Sequence, residues 1–196
     1  MLRPLTEVVS GSLDRFSSGD GELDRVLGGG LVPGSVVLLG GEPGIGKSTL
    51  MLQAALSLAA AGKRVLYVGG EESPEQVRMR AERLGSVVEG IWILPETQTP
   101  VVLDVLREQL PDVVVVDSIQ TLFHPQVESA PGSVTQIRES ASALTAFAKQ
   151  SQIPMLLVGH ITKEGSWPVP RCWSTWWTWC CSSRESDITR IVCYVP

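Results

Sequence analysis

The chain of 196 residues reads as an α/β protein with a mainly parallel sheet lying between helices. Three observations predict this. Apolar runs alternate with stretches of helical period along most of the chain. Asp112-Val113-Val114-Val115-Val116 is almost purely β-branched, which suits a parallel strand buried on both faces. Finally, Val36-Val37-Leu38-Leu39 leads into Gly41-Glu42-Pro43-Gly44-Ile45-Gly46-Lys47-Ser48, a strand that opens into a glycine turn before a helix.

The elements follow in order. Residues 1–15 carry no strong period. Gly21 to Leu27 predicts a short helix, ended by Gly28-Gly29-Gly30 and a Pro33-Gly34 turn. After the first strand, Leu50 to Ala61 is a helix that Gly62 closes, and Arg64 to Val68 is the second strand. Ser73-Pro74-Glu75-Gln76 is a helix start, with a capping serine, an early proline and Gln76 three residues on; the helix runs to about Leu84. Ile91 to Leu94 is a third strand, Pro100 to Leu110 a helix and Asp112 to Val116 the central strand. A loop with Pro125, Pro131 and Gly132 precedes a helix over Gln136 to Gln150, marked by Ile137, Ala141, Leu144 and Ala148. Pro154 to Gly159 is the last clear strand.

Composition removes several function classes. Lys and Arg number 16 against 21 Asp and Glu, a net charge of −5, so there is no global basic field of an obligate nucleic-acid binder. A local basic loop stays open. No apolar run approaches the roughly 20 residues of a membrane span, and Met1-Leu2-Arg3-Pro4 lacks the apolar core of a secretion signal. The expectation is a cytoplasmic protein without a membrane partner. Cys172, Cys180, Cys181 and Cys193 form no C-x-x-C pair, so no zinc site is expected.

The octet Gly41–Ser48 fits the pattern G-x-x-x-x-G-K-[ST], whose main-chain amides and helix N-terminus cradle phosphates. A nucleoside triphosphate is the ligand this predicts. Lys47 is placed to reach the β- and γ-phosphates, Ser48 to ligate Mg²⁺ and Thr49 to bond the α-phosphate. Asp117 emerges at the carboxyl end of the valine strand, where a second Mg²⁺ contact is needed. Glu71 and Glu72 follow the second strand through Gly69-Gly70, and one of them is placed to orient or deprotonate the attacking water. Glu71 is the first candidate and Glu72 the reserve. His160 closes the last strand, ahead of Thr162 and Lys163, where a polar group is placed to sense the γ-phosphate. The segment Gln120–Gln136 holds His124 but no Lys or Arg, so its composition supports no DNA contact.

These segments together carry a resemblance. Leu23 to Ser35, Gly41 to Leu50, Tyr67 to Ser73, Val116 to Thr121 and Val158 to Gly165 fall in order and at spacings that resemble the bacterial RadA/Sms family of DNA-repair ATPases. The resemblance covers about residues 5–166 and implies a three-layer RecA-like P-loop NTPase core, truncated, with its C-terminal strands missing or disordered. It implies ATP hydrolysis coupled to single-stranded DNA binding and branch migration in a ring-shaped homo-oligomer. It also makes Glu71 the water-activating glutamate and His160 the position from which a DNA-binding loop begins. The family's four-cysteine zinc module, its Lys-Asn-Arg-Phe-Gly segment and its protease-like domain have no counterpart here. Three other readings share the loop: an assembly switch without turnover, an ATP-binding fragment without function, and a P-loop kinase. The kinase needs an acceptor site and an arginine-bearing lid, and neither is visible.

Residues 167–196 do not resemble the family. Five of the six tryptophans, Trp167, Trp173, Trp176, Trp177 and Trp179, and all four cysteines crowd there. A shifted reading frame accounts for this, because TGG and TGY codons moved back by one base read NTG, for Leu, Met or Val. So treated, Trp179-Cys180-Cys181-Ser182-Ser183 becomes Val-Val-Leu-Leu-Phe, a buried-strand pattern. The reading is a frameshift near Ser166, with 1–166 as the ATPase core and 167–196 as a disordered tail.

Overall fold

The computed structural model describes residues 15–85 and 87–160, together with the backbone of 178–181 and 190–194. In chain order the elements are α1 (Gly21–Val26), β1 (Val36–Gly41), α2 (Lys47–Ala60), β2 (Val65–Gly69) and α3 (Pro74–Arg83). Then come β3 (Ile91–Leu94), α4 (Thr99–Gln109), β4 (Val113–Asp117), a 3-10 turn (Ile119–Thr121), α5 (Val134–Ser151) and β5 (Met155–His160). Two tail strands, β6 (Thr178–Cys181) and β7 (Arg190–Tyr194), complete the sheet. The strand order is β3-β2-β4-β5-β1-β7-β6. The first five strands are mutually parallel, as βαβ crossovers require.

The strand period of two divides the apolar residues cleanly between two cores. Val37, Leu39, Val65, Tyr67, Val113, Val115, Leu156 and Val158 face one side, against α1, α2 and α3. Val36, Leu38, Leu66, Val68, Val114, Val116, Met155 and Leu157 face the other, against α4 and α5. Helices on both faces of a mainly parallel sheet make the three-layer α/β architecture of a RecA-like P-loop core. The valine strand is buried on both faces, and Ile137, Ala141, Leu144 and Ala148 of α5 are all buried. At α3 the capping box is complete: the Gln76 amide donates to the Ser73 hydroxyl, and the Ser73 amide to the Gln76 side chain.

Two short stretches of the tail extend the sheet, an addition to the expectation of missing or disordered C-terminal strands. β7 runs antiparallel to β1, and β6 antiparallel to β7. The physical reason is the outer edge of β1, whose buried backbone groups need partners that β5 does not supply. Thr162, Lys163 and the side chains of the tryptophan- and cysteine-rich tail lie outside the described residues. No described helix is long and apolar enough to cross a membrane.

Candidate functional site

Strands β1, β2, β4 and β5 end together at the carboxyl edge of the sheet, where ligands of open α/β sheets sit. The register places Gly41 beside His160 and Gly69 beside Asp117. Residues far apart in sequence therefore share one rim.

The glycine loop starts as β1 ends at the buried Gly41; Glu42 and Pro43 are exposed, and Ile45 is half-buried. Gly44 and Gly46 have φ of +83° and +99°, a backbone that side chains rarely adopt, and a Cβ on either would meet nothing within 4 Å. The loop thus borders open space. Gly46 is the N-cap of α2, and no side chain caps that helix, so its first amides and positive dipole end face the loop. Lys47 is buried, and its Nζ donates to the carbonyls of Gly41 at 2.9 Å and Glu42 at 2.7 Å. Burial lowers the ammonium from its ordinary pKa, against the opposing pull of the Asp117 and Glu71 carboxylates.

The Ser48 hydroxyl donates to Asp117 Oδ1 at 2.9 Å, across 69 residues of sequence. Tyr67 donates its hydroxyl to Asp117 Oδ2 at 2.5 Å. The peptide between Asp117 and Ser118 is cis. Ser118 in turn donates to Glu71 Oε1 at 2.6 Å, and His160 Nε2 stands 3.7 Å from the same oxygen. Gln120 donates from Nε2 to the His160 carbonyl at 3.3 Å. Glu71 and Glu72 therefore have different surroundings. Glu72 is ion-paired with Arg80, so its charge is already matched by a guanidinium. Glu71 accepts from the Ser118 hydroxyl, stands near His160, and acts on Lys47 through its charge. Gly70 makes the chain's passage to them feasible: a Cβ there would come within 2.5 Å of the Thr121 hydroxyl and 2.8 Å of Thr97.

A cavity of about 470 Å³ opens over this rim. Gly44, Gly46, Lys47, Ser48 and Thr49 form one wall, Glu72, Arg80, Arg83 and Leu84 the other, and His160 also lines it. The structure thus brings the expected residues Gly41–Thr49, Glu71, Glu72, Asp117 and His160 to one rim, with Glu72 rather than Glu71 on the cavity wall. Tyr67, Ser118, Arg80 and Arg83 were not among those expected. The one sequence signal for them was a tyrosine two residues before a strand's end, where a buried phenol requires a polar partner. The donor set fits a magnesium triphosphate: an uncapped helix start and a lysine for the polyanion, and hard hydroxyl and carboxylate oxygens for the cation.

Comparison with known proteins gives the family. The family model described as AAA domain matches residues 4–166. The DNA repair protein RadA of Pseudomonas aeruginosa is 52% identical over 172 residues, covering 87% of this chain and 37% of that protein. RadA of Listeria monocytogenes is 48% identical and RadA of Bacillus subtilis 47% identical, each over 168 residues, 86% of this chain and 37% of the relative. The chain spans little more than a third of the length of these relatives. With its matched segment covering most of its length, the chain belongs to the AAA domain family of P-loop ATPases and within it resembles the bacterial RadA proteins of DNA repair.

Proposed function

We propose that this chain binds ATP with Mg²⁺ and hydrolyses it, as the ATPase section of a DNA-repair protein. In the whole protein, turnover would serve single-stranded DNA binding and branch migration by a ring of copies. The observation that carries the reading is the juxtaposition, at one sheet edge, of an uncapped phosphate loop, Lys47 and the Ser48–Asp117 pair. The loop amides and Lys47 bind the phosphates, and Thr49 reaches the α-phosphate. Ser48 and Asp117 would hold Mg²⁺, which would supply neutralisation of the phosphate charge when bound. Glu71 takes a proton from water as the water oxygen bonds to the γ-phosphorus and the bond to the β–γ bridging oxygen breaks. The Ser118 hydroxyl occupies Oε1 of Glu71, which leaves Oε2 for that water. His160, beside Glu71 and held at its carbonyl by Gln120, is the γ-phosphate sensor, and the DNA-binding loop follows it. The DNA step and the ring rest on the relatives' character as DNA repair proteins.

The test combines thermal stability with phosphate release, with and without single-stranded DNA. Saturating Mg-ATP at about 100 times its Kd stabilises the folded chain by about 2.7 kcal/mol, read as a rise in Tm. Lys47→Ala removes that rise. Glu71→Gln keeps it and lowers turnover by about 10²- to 10⁴-fold. Folded protein whose Tm ignores millimolar Mg-ATP would refute the reading.

A further inference from the structure

Tyr67 is among the largest fully buried side chains, at 1% exposure. The strand period turns its ring toward the α2 core. Gly69 is in register with Asp117 on the neighbouring strand, so the phenol ends at the carboxylate. Its oxygen donates to Oδ2 at 2.5 Å while Ser48 donates to Oδ1 at 2.9 Å. Each oxygen of Asp117 is thereby assigned a different hydroxyl. A serine hydroxyl has one proton and two lone pairs, and with its proton committed to Oδ1 its lone pairs remain for a cation. A carboxylate released at Oδ2 is free to rotate, and the serine then loses its fixed acceptor.

Resting on the nucleotide reading above, we propose that Tyr67 is a positioning residue for the metal: its hydroxyl locks the Asp117 carboxylate in the orientation that presents Ser48 to a divalent cation. A phenol carries its proton across the neutral range and so serves as the donor.

The test uses Tyr67→Phe, which deletes one oxygen and keeps the ring. Mn²⁺ uptake is followed by electron paramagnetic resonance with a non-hydrolysable ATP analogue, which makes the readout independent of turnover. We expect half-saturating Mn²⁺ to rise about tenfold, the effect of losing one hydrogen bond to a charged acceptor, while analogue binding in EDTA stays within about twofold. Excess Mg²⁺ should also restore the variant's turnover. An unchanged Mn²⁺ midpoint overturns the proposal. So does an equal loss of analogue binding with and without metal, the mark of a merely structural tyrosine. A parent chain that takes up no analogue with Mn²⁺ sinks the nucleotide reading itself and Tyr67 with it, and that failure is visible before any variant is compared.

Discussion

Asp24 accepts from the Ser17 hydroxyl at 2.5 Å, the Ser18 hydroxyl at 2.6 Å and the Ser18 amide at 2.8 Å, tying the chain before α1 to the helix itself. Burial works against its charge, but these hydrogen bonds outweigh it and hold the carboxyl below its ordinary value of 3.8. A depressed carboxylate pKa stabilises the fold above the unfolded value and loses that contribution as pH falls through the folded one. Asp24→Ala should therefore cost about 1.5–3 kcal/mol near neutral pH. Denaturant melts should show the gap between variant and parent closing below pH 3.8. At the same scale, Lys47, Ser48 and Asp117 were legible in the sequence because each sits in or just after a pattern with its own chemistry. Tyr67 and Ser118 were not. Their roles depend on acceptors 50 and 47 residues away, and only the β2–β4 register brings those acceptors near.

Between β4 and α5 the chain has little regular structure beyond the 3-10 turn Ile119–Thr121, and the buried side chain of Gln136 bonds to several of its backbone groups. Gln136, 2% exposed, donates from Nε2 to the carbonyls of Val127 and Ser129 at 3.0 Å each and of His124 at 3.3 Å; its Oε1 accepts the His124 amide at 2.7 Å. Gln136→Ala leaves those backbone groups without their partner, and we expect a loss of about 2 kcal/mol or more. Hydrogen exchange at the His124 amide should accelerate accordingly, and unaltered protection there would show that the loop is held by other means. The sequence placed the start of this helix at Gln136, whereas α5 begins at Val134 behind the capping Ser133. Pro131-Gly132 had marked that serine as loop, and it does double duty as cap. Strand positions fared better, because uninterrupted apolar runs such as Val113–Val116 mark strands buried on both faces.

At the scale of the whole molecule, five parallel strands between Val36 and His160 carry both cores. The family match stops at Ser166, one residue before the first tryptophan of the crowded tail. A shifted reading frame near Ser166 would account for the change of composition there. Sequencing the coding DNA should find a RadA-like continuation one base out of register near Ser166; an intact frame without one disproves it. The rim of the sheet also holds a consequence for how ligands arrive. The ammonium of Lys47 is clasped by the carbonyls of Gly41 and Glu42, within the loop itself. Entry of a polyanion is then an exchange of partners rather than a simple addition. Small inorganic anions, which offer too few contacts to unclasp the lysine, should compete poorly with a full triphosphate chain.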